Sequence, residues 1–83
     1  MVTVFRANGL RVVIFVDDHL PAHVHVFGDG HVKIDLLGPK GTAGLVWANG
    51  ATRTEIRQAM RIVTEQHAML LNRWEEIHGR LDR

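Results

Sequence analysis

Asn8-Gly9 stands between two runs rich in Val, Ile and Phe, residues 2–6 and 10–16, and it constrains this chain more than any other local feature. Asparagine followed by glycine is the pair that most readily supplies the two positive φ angles of a type I′ turn. That turn carries the twist of two antiparallel strands. A hairpin over the first 16 residues follows, and a chain of 83 residues has room for one core, which this hairpin must join.

The first half continues in the same style. Asp17-Asp18-His19-Leu20-Pro21 breaks the pattern, because Pro21 has no amide hydrogen for a ladder and pushes Leu20 toward an extended conformation. Residues 22–27 alternate, Gly28-Asp29-Gly30 turns, and residues 31–37 alternate again, which reads as a second hairpin. Gly38-Pro39-Lys40-Gly41 turns once more, before a short last strand over 44–47. A three-residue loop at 28–30 opposes Phe27 to His31, His25 to Lys33 and His23 to Asp35. The other face then collects Val24, Val26, Val32 and Ile34, whereas a slip of one residue would bury Lys33 and Asp35 among valines.

The second half is helical. Thr52 and Glu55 have the form of a capping box after Asn49-Gly50. Ile56, Met60, Val63, His67, Leu70, Trp74 and Ile77 then trace one stripe until Gly79. The expected fold is α+β: a mostly antiparallel sheet of four to five strands, built from two hairpins and covered on one face by a long C-terminal helix over about 53–78. Residues 1–83 form a single domain with its strands within 2–47. Residues 10–16 are apolar on both faces, Val12/Ile14/Val16 and Val13/Phe15, so a homodimer or a partner complex is expected to cover the second face.

Composition removes several functions. There is no cysteine, which excludes disulfides, thiolate zinc sites and cysteine nucleophiles. A formal net charge of +1 excludes nucleic-acid binding through overall charge. The longest apolar run, residues 12–16, is far short of a membrane span, and no secretory leader is recognisable, so the expected location is the cytoplasm.

What remains distinctive is histidine, six residues in all, three of them between positions 23 and 31. His23 and His25 share one face of a strand, roughly 6.5 to 7 Å apart along the backbone, from which both can reach one metal ion such as zinc or nickel. A third ligand would come from His19, His31, Asp35 or a dimer mate, and the ligand set His19, His23 and His25 is one reading. A second is acid/base chemistry, with His23 and His25 exchanging protons and Asp35 orienting His23, as in metal-independent cleavage of RNA. Lys33 beside His25 adds a cation able to hold a phosphate, and Arg53, Arg57 and Arg61 form a basic ridge along the helix that would either grip phosphates or stay solvated. A third reading makes these residues an exposed polar face with cross-strand pairs and no chemistry. His67, alone on an apolar stripe, reads as a core or interface residue with satisfied ring nitrogens. It should not share the site of His23 and His25, and its exchange for leucine should be tolerated.

Thr3-Val4-Phe5-Arg6 before a hairpin, Asp18-His19-Leu20-Pro21-Ala22-His23-Val24-His25-Val26, and a helix with Glu65-Gln66-His67, Leu70 to Trp74 and His78-Gly79 together resemble the small bacterial family called Domain of Unknown Function 4160. The resemblance spans nearly the whole chain; Ala22 stands where a second proline is usual, with His19, His23 and His25 in place. It implies a toxin-like effector of a bacterial toxin-antitoxin module, held by a cognate small antitoxin-type protein and with no settled activity; together with the histidine face, the expected action is on RNA or translation. The alternative is a non-enzymatic, metal-dependent protein-interaction module.

Overall fold

The computed structural model describes residues 1–79; the last four positions of the domain expected over 1–83 lie outside the described residues. Five strands, β1 (Val2–Ala7), β2 (Leu10–Ile14), β3 (His23–Phe27), β4 (His31–Asp35) and β5 (Gly44–Asn49), pair in chain order into one antiparallel sheet. Two helices follow, α1 (Arg53–Glu65) and α2 (His67–His78). The fold is α+β.

Local chemistry explains the elements. Asn8 and Gly9 take φ of 54° and 76°, so the first hairpin closes as a two-residue turn with both angles positive. The β3/β4 register pairs His23 with Asp35, His25 with Lys33 and Phe27 with His31. Val24, Val26, Val32 and Ile34 accordingly lie fully or almost fully buried, in one core with Ala59, Ile62 and Val63 of α1 and Leu70 and Trp74 of α2. The capping box forms as well: Glu55 N–H donates to Thr52 Oγ1 and Thr52 N–H to Glu55 Oε1, each at 3.1 Å. The second oxygen of Glu55 accepts Asp29 N–H at 2.8 Å, which ties the start of α1 to the β3/β4 turn.

Three expectations need correction. The long helix over 53–78 is two helices, because Gln66 leaves helical geometry at φ −100° and ψ 18°, and at the same point His67 Nε2 donates to the carbonyl of buried Leu36. No Gly or Pro marks the break, and the buried residues of α1 include Ala59 and Ile62, which are not on the stripe read from spacing. The last strand runs past 47, to Asn49. Finally, the two-faced apolar run is covered within one chain: Val12, Val13 and Ile14 are all 0% exposed. Only Val16, beyond the strand, stays bare, so the run itself does not require a second chain. Edge strand β5 exposes three consecutive apolar side chains, Leu45, Val46 and Trp47, while Met1, Val16, Leu20 and Leu37 are exposed elsewhere.

Candidate functional site

The eight residues 15–22 between β2 and β3 decide the site. Asp18 N–H donates to Phe15 O at 3.1 Å and Phe15 N–H returns a bond to Asp18 Oδ2 at 3.2 Å, so the chain folds back and holds the carboxylate over the start of β3. There it meets both strand imidazoles, with Asp18 Oδ2 lying 3.3 Å from His23 Nε2 and 3.7 Å from His25 Nε2. One ligand atom from each of Asp18, His23 and His25 lies within 4.8 Å of the others.

The remaining ring nitrogens are fixed from behind. His23 Nδ1 lies 2.8 Å from the carbonyl oxygen of Pro21, which only accepts, so Nδ1 carries the hydrogen. In a neutral ring, Nε2 then turns a lone pair toward Asp18. His25 Nδ1 lies 2.8 Å from His31 Nε2, and one of the two donates to the other. Aromatic rings enclose this pair of histidines. Phe15 packs edge-on to His25 at 4.8 Å between centroids, and Trp74 lies 5.4 Å from His23. The face expected to be exposed and polar is therefore covered, with His23 at 5% and His25 at 9% exposure. That desolvation, opposed by the Asp18 charge and reinforced by His23, His31 and Lys33, lowers the His25 pKa from 6.5 to about 4. Burial lowers His31 as well.

The sequence-derived candidates separate into those the fold brings together and those it does not. His23 and His25 meet as expected. Asp35 opposes His23 along the backbone, yet the carboxylate that reaches the imidazole belongs to Asp18; the expected His23/Asp35 couple does not form, because the loop carboxylate and the Pro21 carbonyl already occupy both ring nitrogens. His19 lines the same pocket but is exposed and outside the close cluster; Asp18 takes its place in the ligand set His19, His23 and His25. Lys33 and Trp47 stand on the wall of the pocket, which measures about 320 Å³. Arg53, Arg57 and Arg61 are exposed on α1 and none of them lines it. His67 is bonded to Leu36 and takes no part. The available signal for Asp18 was its place in an Asp-Asp-His-Leu-Pro loop; strand alternation cannot show a loop folding back over its own next strand.

The fold and the cluster define a small α+β protein in which two histidines of the sheet and a carboxylate of the preceding loop line one pocket. The chain belongs to the family described as domain of unknown function (DUF4160), whose model matches residues 9–75. That span contains Asp18, His23, His25, Lys33 and Trp47. No curated protein and no solved structure matches the chain.

Proposed function

We propose that this protein is a metal-dependent effector in which Asp18, His23 and His25 hold one divalent transition ion, zinc or nickel, and leave its pocket side open. The observation that carries the reading is the direction of the His23 ring. Its Nδ1–H is engaged by Pro21, so Nε2 is the ring atom that faces the Asp18 carboxylate 3.3 Å away. A ring nitrogen and a carboxylate at that distance are joined by a cation, either a proton on the ring or a metal ion. A proton on His23 satisfies one contact, whereas a metal ion satisfies the Nε2 atoms of both histidines and the carboxylate together. Ligand atoms around a tetrahedral ion with bonds of about 2.0 to 2.1 Å stand about 3.3 to 3.4 Å apart, and the two contacts here are 3.3 and 3.7 Å.

Two further features support the metal. A ligating imidazole commonly donates its second N–H to a carbonyl or another acceptor, which His23 does to Pro21 and His25 is placed to do to His31. The lowered pKa keeps His25 neutral at pH 7, as a ligand must be, and makes it a poor proton carrier, which counts against the metal-independent acid/base reading. Three protein ligands with an open position are the arrangement that activates water or polarises a bound group. The toxin-like role is part of the proposal and rests on the family resemblance, and action on RNA or translation rests on the chemistry of the histidine face; in this reading it runs through the ion rather than through titrating histidines.

Calorimetric titration of chelator-treated protein with zinc tests this. One ion per chain is expected, with affinity falling about 100-fold or more in Asp18→Asn, which keeps the loop hydrogen bond but loses the charge. Substoichiometric zinc, or zinc binding indifferent to Asp18→Asn and His25→Gln, would overturn it. Growth after induced expression of the natural sequence against Asp18→Asn tests the effector half: growth arrest is expected only from the natural sequence.

A further inference from the structure

The charges around the pocket carry a consequence of their own. Its wall contains two carboxylates, Asp17 and Asp18, and one ammonium, Lys33. These three groups sum to a formal charge of −1, and a divalent ion in the cluster takes the sum to +1. The sign inverts. Lys33 is the cross-strand neighbour of His25, so its ammonium and the ion's open position face the same space. Trp47 pairs with Lys33 from β5 and adds a 40% exposed indole to the wall.

We infer that the metal-loaded pocket binds a phosphoryl group, with one oxygen on the ion and another on the Lys33 ammonium, and that the metal-free pocket binds it more weakly. This rests on the metal reading above. A phosphoryl group suits the site because it carries up to two negative charges and several oxygens that can span two cationic points at once. Chloride has one charge and one contact point. The arginine ridge on α1 does not compete, since those guanidinium groups lie outside the pocket. Binding at the two subsites is coupled, so phosphate must tighten zinc by the same factor by which zinc tightens phosphate. The indole offers a stacking wall to a nucleobase, so the phosphoryl group can come from free phosphate or from a nucleotide.

Isothermal titration with inorganic phosphate and with adenosine 5′-monophosphate, on metal-free and on stoichiometrically zinc-loaded protein, tests the inference. Zinc is expected to tighten phosphate about tenfold or more, and saturating phosphate to tighten zinc equally. Lys33→Gln is expected to lose most of that gain without weakening zinc itself. Equal affinity for the two probes identifies phosphate alone. Tighter nucleotide binding, with quenching of indole fluorescence that disappears in Trp47→Phe, identifies a nucleotide. Zinc binding at full stoichiometry with phosphate affinity unchanged, or unchanged by Lys33→Gln, overturns the inference and leaves the metal centre standing. Absence of zinc binding overturns both.

Discussion

Replacing His67 by leucine sets two effects against each other at one position. On spacing alone leucine should be at least as good, since the position continues an apolar stripe and leucine is the better helix former. The structure reverses the expectation. His67 Nε2 donates to the carbonyl of Leu36, a residue 0% exposed whose own N–H is spent on Ala22 O at 2.9 Å. Leucine strands that acceptor, which costs about 1 to 3 kcal/mol. Against this stand about 0.5 kcal/mol from the added apolar surface at a half-buried position and a few tenths from helix propensity. The net expectation is a loss of about 1 kcal/mol. With a urea dependence of about 1 kcal/mol per M for a domain this small, the midpoint should fall by about 1 M at unchanged slope. His67→Gln, which retains a donor, should lose less than half as much. A leucine variant with a midpoint at or above the natural protein's would refute the reasoning and return His67 to the status of a tolerated polar residue.

Three other outcomes follow from the geometry. Glu55→Ala should melt below Thr52→Ala: losing the threonine cap costs about 1 kcal/mol, while the glutamate also holds Asp29 N–H; identical thermal midpoints would remove the proposed tie between α1 and the β3/β4 turn. Ile34→Ala should destabilise by about 2 to 5 kcal/mol through the cavity it leaves while the folded protein still binds one zinc, because Ile34 and the histidines lie on opposite faces of the sheet; loss of zinc from a variant shown by circular dichroism to be folded would contradict that separation. In zinc-free protein, stability should be fully present above pH 6.5 and decline toward pH 4. The unfolded chain protonates His25 near 6.5, the folded chain only near 4, so between the two values the unfolded state binds more protons. Urea midpoints across that range should fall less steeply in His25→Gln, and parallel curves would show that His25 does not contribute.

Much of the sheet is legible in the sequence because its rules are local. A two-residue turn, a three-residue turn and strict alternation suffice to place His23 opposite Asp35 and to bury Val24, Val26, Val32 and Ile34. The capping box at Thr52 and Glu55 is equally local. The site is less legible because its decisive contacts are not periodic. Cross-strand opposition points to Asp35 as the partner of His23, whereas a hydrogen bond inside the 15–22 loop delivers Asp18 instead. Alternation also makes the histidine face polar but says nothing about its cover, which Phe15, from beyond the end of β2, and Trp74, from α2, supply. The break at Gln66 has no composition signal, since helix-compatible residues surround it and the deviation coincides with a tertiary bond 31 residues away.

Strand order that equals chain order has a kinetic meaning. Every ladder of the sheet closes over a short connection, the longest between paired strands being the eight-residue stretches 15–22 and 36–43, so the entropy of loop closure is small at each step. The long spans belong to the helices, through His67 to Leu36 and through His78 Nε2 to Phe15 O, 63 residues apart. Chains dominated by near-neighbour contacts fold fast, and a chain synthesised from its N-terminus can form them first. Asp18, His23 and His25 all lie within the first 25 residues, Asp18 on the connection between β2 and β3 and the two histidines in β3 itself. The meander can thus bring the three ligands together while α1 and α2 are still being made, and the ion of the proposed centre would be captured by a nascent sheet, before Trp74 arrives to close over it.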